Sequence, residues 1–137
     1  VNGDEIDLPA FSGGDASIGA YIVDDVQAIT ASASVREAAS RLAEAGVGLL
    51  VVGTKDAVEG VVSERDIVTA VAQGLDLDAT KLADIESTTL EWTTPDATVG
   101  EVVEEMMETY VRHVLVGENR RLVGIVSMRD VMAAYLD

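Results

Sequence analysis

The octapeptide Gly60-Val61-Val62-Ser63-Glu64-Arg65-Asp66-Ile67 returns 64 positions later as Gly124-Ile125-Val126-Ser127-Met128-Arg129-Asp130-Val131. The same offset, with no gap, aligns Thr30 with Thr94, Val35 with Val99, Glu37 with Glu101, Val47 with Val111 and Gly53 with Gly117. A chain that repeats itself in register uses one structural solution twice. Each copy is about 60 residues, near the lower limit for a self-sufficient hydrophobic core. The copies are therefore expected to bury their apolar faces against each other. The duplication is also an internal control: positions that agree serve the unit, and positions that differ can serve a single site.

Local patterns say what the unit is. Ser34-Val35-Arg36-Glu37 reads as a capping box, the serine accepting from a first-turn amide and the glutamate reaching back to the cap. Val35, Ala38, Ala39, Leu42 and Ala43 follow at helical spacing, and Gly46 closes the helix. Short apolar runs predict strands at 47–52 and 58–62, and Ser63 opens a second helix. In the second copy Thr98-Val99-Gly100-Glu101 repeats the capping box, and Val102, Val103, Met106 and Met107 supply the stripe. Strands are predicted at 111–116 and 122–126, and Ser127 opens the last helix. A short strand is expected within 21–30 and another at 89–93. The domain plan is a lead-in at 1–20, repeat 1 at 21–74, a polar connection at 75–84 and repeat 2 at 85–137. The fold class is α/β of the α+β type. Each repeat runs strand–helix–strand–strand–helix, and the two are expected to pack as a pseudo-twofold pair.

Composition narrows the function. Asp and Glu number 25 against nine Lys and Arg, for a net charge of −16, and the only lysines are Lys55 and Lys81. Such a surface repels itself, and about 1 M salt, with a screening length of roughly 3 Å, removes most of that cost. The balance is that of proteins from salt-loving organisms, so the chain is read as halophilic and cytoplasmic. Nucleic acid is excluded as a partner, because neutralising phosphates needs a basic face. There is no cysteine and a single histidine, His113, which excludes disulfides and points to no metal. No apolar run approaches the roughly 20 residues that span a bilayer, so no membrane is expected. No nucleophile–base pair or glycine-rich phosphate loop appears, so neither an enzyme nor a cofactor is expected. The chain begins at Val1, as a processed or excised piece of a longer protein would.

The pattern Gly-hydrophobic-hydrophobic-Ser-x-Arg-Asp-hydrophobic, present twice after matching helix–strand–strand patterns, resembles the cystathionine-β-synthase (CBS) domain. Two in tandem, over about residues 22–136, resemble a CBS pair, or Bateman module. The resemblance implies a cleft between the repeats that binds AMP, ADP, ATP or S-adenosylmethionine. It also implies a homodimer and regulation of an attached or partner effector protein. By motif position it places Ser63 with Asp66, and Ser127 with Asp130, at ribose and phosphate. It turns Arg112 and His113 toward the cleft, sets Val47 and Val111 against adenine, and puts Thr88 (counterpart Asp24) near the adenine edge.

The residues themselves leave alternatives open. A carboxylate accepts from both ribose hydroxyls, and helix-start amides favour an anion. Ser-x-x-Asp is equally a helix cap, worth about 1 kcal/mol without any ligand. Arg112 and His113 replace Gly48 and Leu49 of the first copy. Arg112 suits phosphate oxygens and His113 adds a pH-dependent donor, while Glu108 offers Arg112 an ion pair instead. Val47 and Val111 serve equally as core. Trp92, in place of Ala28, is expected to pack between the repeats. A ligand-independent assembly module is the competing function.

Overall fold

Hydroxyl side chains start all four helices of the computed structural model, which describes residues 12–136. Ser34 Oγ accepts from the Glu37 amide at 3.1 Å and starts α1, Val35–Ala45. Ser63, Thr98 and Ser127 do the same for α2 (Glu64–Ala72), α3 (Val99–Thr109) and α4 (Met128–Tyr135). The return leg expected from Glu37 is absent, whereas Glu101 makes both legs at Thr98. α1 ends on Gly46 in the left-handed region, where its amide donates to the Leu42 carbonyl. α3 ends on Tyr110 in the same conformation, with φ 60°.

β1 (Ala28–Ile29), β2 (Leu49–Thr54) and β3 (Ala57–Ser63) form one three-stranded sheet, β1 parallel to β2 and β2 antiparallel to β3. β4 (Trp92–Thr93), β5 (His113–Glu118) and β6 (Arg121–Ser127) form a second with the same order and directions. Even the irregularities match, with register shifts after Val52 and after Val116. Among the described residues the fold is thus α/β, four α-helices and two three-stranded sheets, with strand–helix–strand–strand–helix in each repeat. The short strand expected within 21–30 is Ala28–Ile29, and the one expected at 89–93 shortens to Trp92–Thr93. Val47, Val111 and Arg112 precede their strands rather than begin them.

Contacts gather into two compact units that interleave the repeats: Asp25–Leu90 is one, and Val1–Asp24 with Glu91–Asp137 is the other. In the first, Leu50, Val52 and Val62 of the sheet pack on Val35, Ala38 and Leu42 of α1 and on Ala70 of α2. In the second, Val114, Val116 and Val126 pack on Val102, Val103 and Met106 of α3 and on Val131 of α4. The helical stripes are narrower than predicted, since Ala43 is exposed and Met107 is 39% exposed.

Both cores are completed by a segment that the sequence reads as lead-in or connection. Leu82, from the polar stretch 75–84, is fully buried in the first core, where its amide donates to Ala33 O at 2.9 Å. Ser87 and Val61 then exchange backbone hydrogen bonds of 2.9 and 3.0 Å along the open edge of β3. Ile18 plays the part of Leu82 in the second core, and Val23 pairs with Ile125 on the edge of β6 as Ser87 pairs with Val61. An unpaired strand edge must find a partner, and these segments supply it. The part of the lead-in before residue 12 lies outside the described residues.

Candidate functional site

Each sheet ends in a corner built the same way. β3 enters α2, and β6 enters α4, without a loop, so Ser63 and Ser127 are at once the last strand residue and the helix cap. Strand register places Leu49 opposite Ser63 and His113 opposite Ser127. The first helical amide closes each corner: Glu64 N–H donates to Gly48 O at 3.0 Å, and Met128 N–H to Arg112 O at 2.7 Å. Gly48, Leu49, Ser63, Glu64 and Asp66 therefore share one corner. Arg112, His113, Ser127, Met128 and Asp130 share the other.

The backbones agree, but the side chains do different things. Asp66 Oδ2 accepts from the Ser63 amide at 2.8 Å and from Ser63 Oγ at 3.0 Å, closing a full capping box. Ser127 Oγ accepts from the Asp130 amide at 3.2 Å, but the Asp130 carboxylate makes no return bond and stays exposed. Arg112 is exposed and forms no ion pair among the described residues, so the alternative pairing with Glu108 does not occur. The His113 pKa is pushed below the usual imidazole value, first by burial and then by the Arg112 charge, which favours the neutral ring. In the first corner the Glu64 side chain lies beside Gly48, its carboxyl carbon 3.9 Å from where a β-carbon would stand, an ordinary van der Waals distance. Of these residues, the first corner carries two carboxylates and no cation, and the second carries one carboxylate, the Arg112 cation and the imidazole of His113, held toward its neutral form. An anion is favoured at the second.

Val47 and Val111 are half-buried, each packed against its own core just before the corner. Thr88 is exposed and follows Ser87, so it stands in the unit of the acidic corner. Its counterpart Asp24 follows Val23 and stands in the unit of the basic corner. Sequence reasoning missed the Glu64/Met128 difference, although it is a mismatch inside the repeated octapeptide. Trp92 lies over Gly117 of its own sheet, its ring 3.1 Å from where a β-carbon would be. A groove of about 440 Å³ runs along α1, lined by residues that include Arg36, Ser40, Arg41, Glu44 and Asp78, and it contains neither corner. No three metal-ligating side chains come together among the described residues, and no described helix is long and apolar enough to cross a membrane.

With this geometry in hand, comparison is decisive: the CBS domain matches residues 18–73 and again residues 82–137. The chain belongs to the CBS-domain family. CBS pairs are regulatory modules. The chain is 32% identical over 119 residues to an uncharacterised protein of Methanopyrus kandleri, covering 85% of this chain and 61% of that protein. It therefore spans about three fifths of that relative's length. It is also 32% identical to hypoxic response protein 1 of Mycobacterium tuberculosis, over 69% of this chain and 67% of that one. Among solved structures, an uncharacterised conserved protein from Pyrococcus horikoshii superposes with a TM-score of 0.80 at 30% identity, covering 88% of this chain and 92% of that one. The CBS domain protein PAE2072 from Pyrobaculum aerophilum, complexed with AMP, is 34% identical with a TM-score of 0.75, covering 83% and 88%.

Proposed function

We propose that this CBS pair is a regulatory, non-catalytic module that binds an adenosyl nucleotide (AMP, ADP or ATP) at the corner formed by Arg112, His113, Ser127 and Asp130. One observation carries this: a carboxylate left free of its helix cap stands in the same corner as an arginine that has no ion pair among the described residues. Asp130 has both oxygens available for a ribose diol, Arg112 offers a forked donor to phosphate, and Ser127 with the α4 amides completes an anion-favouring end. Val111 supplies an apolar wall and Asp24 an acceptor. The AMP complex of PAE2072 supports this ligand class.

The acidic corner, with Ser63, Asp66, Val47 and Thr88, is the weaker site, because Asp66 already accepts two hydrogen bonds and Glu64 repels phosphate. It suits S-adenosylmethionine, whose sulfonium is cationic, better than a nucleotide. The acidic composition supports a cytoplasmic protein of a high-salt cell, and the regulated effector is an attached domain or a separate partner.

Thermal unfolding in molar KCl tests the reading. A nucleotide at 100 times its Kd adds about 2.7 kcal/mol to stability. Asp130→Ala is expected to abolish the shift given by AMP, and Asp66→Ala to keep it. No shift with AMP, ADP, ATP or S-adenosylmethionine sinks the proposal. A second reading, assembly as a homodimer without ligand, is favoured by Val68 and Val71 of α2, which are 67% and 55% exposed. It predicts a dimer in light scattering that is indifferent to nucleotide and is lost in Val68→Asp.

A further inference from the structure

Gly60 and Gly124 are equivalent glycines on β3 and β6, and each is covered by the residue immediately before the one that pairs along the strand edge. Over Gly124 lies Ile22, an aliphatic side chain in contact with the space a β-carbon would need. Over Gly60 lies Glu86, its carboxyl 3.1 Å from the equivalent point, with Ser87 O at 2.7 Å. The fold fills this position with hydrocarbon in one unit and with an acid in the other. Glu86 Oε2 is shielded from solvent and has no hydrogen-bond partner. A shielded carboxylate oxygen without a donor is costly when ionised, and much less so when the group carries a proton.

We propose that Glu86 is a proton-sensitive latch, holding the segment around Ser87 on the edge of β3 when protonated and loosening it when ionised. The segment is otherwise held by Glu86 N–H to Leu82 O at 2.8 Å and by the paired bonds between Ser87 and Val61. Glu59, on β3 itself, is the charged group that acts on Glu86, while Lys81 and Asp84 are the charged residues of its own segment. Burial first, and Glu59 second, raise the Glu86 pKa above the usual carboxyl value. The folded unit thus binds a proton that the unfolded chain releases. Stability falls as pH rises from the ordinary carboxyl value through the raised one, and is constant above it.

The test uses the whole chain in molar KCl, comparing wild type with Glu86→Gln and Glu86→Ile from pH 4 to 8. Both substitutions are expected to raise the unfolding midpoint at pH 8, with the difference from wild type closing toward pH 4. Amide-exchange protection at Val61 and Ser87, corrected for intrinsic rate, is expected to rise as pH falls in wild type and to stay flat in both variants. Equal pH dependence at those two amides in wild type and Glu86→Gln overturns the proposal. So does a lower midpoint for both variants at pH 8, because the carboxylate would then be a satisfied group. If Glu86→Gln alone fails to fold, Glu86→Ile gives the same reading, since Ile22 shows that the position takes this side chain.

Discussion

At the scale of single residues, two aspartates at the same motif position differ in what they are bonded to. Asp66 returns to its cap and Asp130 does not. Asp66→Ala is therefore expected to cost about 1 kcal/mol of stability, read as a lower urea midpoint, and Asp130→Ala much less. His113 gives a second residue-level prediction. Its folded pKa lies below the unfolded value because burial, and then Arg112, oppose the charge. The unfolded chain binds the extra proton, so stability from this group is complete above the ordinary imidazole value and is lost as pH falls toward the lowered one. His113→Leu, which restores the Leu49 side chain of the other corner, is expected to flatten that part of the curve of denaturation midpoint against pH. The difference between the aspartates was not legible in the motif, because Ser-x-Arg-Asp is the same in both copies. Whether a carboxylate folds back on its cap depends on a rotamer that the surrounding corner selects.

Among elements, caps and turns decide where the repeat is tight. α3 ends on Tyr110 in the left-handed region, 91% exposed, where α1 ends on Gly46. A side chain there meets a steric cost that glycine avoids, so Tyr110→Gly is expected to raise the stability of the chain by about 1 kcal/mol, measured by urea unfolding. The opposite holds at Gly124. A β-carbon there would run into Ile22 and the carbonyl of Val23 at 2.5 Å, breaking the pairing of Val23 with Ile125. Gly124→Ala is expected to cost about 1–3 kcal/mol by overpacking, and exchange of the Val23 and Ile125 amides should quicken first. The helices and paired strands were readable from periodicity, because an apolar stripe and a serine cap are local signals. The short strand β1 falls within its expected window, whereas β4 was overextended in the reading, because only two of its residues meet a parallel partner.

For the molecule as a whole, charge and chain path set the behaviour. A net charge of −16 on 137 residues makes folding oppose self-repulsion, which salt screens. The thermal midpoint is expected to climb between 0.1 M and 2 M KCl. α3 concentrates part of the effect, since Glu104 and Glu108 are exposed four residues apart on it. Changing both to Gln should raise the midpoint at low salt and shrink its salt response, as followed by circular dichroism. Equal salt slopes for variant and wild type would show that screening at α3 is not the cause.

The sequence by itself determined the duplication, the order of elements, the family and the two candidate corners, because each rests on neighbours within a few positions or on self-comparison. It also marked Arg112 and His113 as the departure from symmetry. Only the tertiary structure decided that Leu82 and Ile18, from segments read as connection and lead-in, complete the two cores. It likewise decided that Asp130 is free while Asp66 is spent, and that a carboxyl stands where an isoleucine would. Those facts depend on which side chain meets which backbone across long stretches of chain. Hydrophobic burial and hydrogen-bond satisfaction are settled there, by the three-dimensional neighbourhood rather than by local pattern.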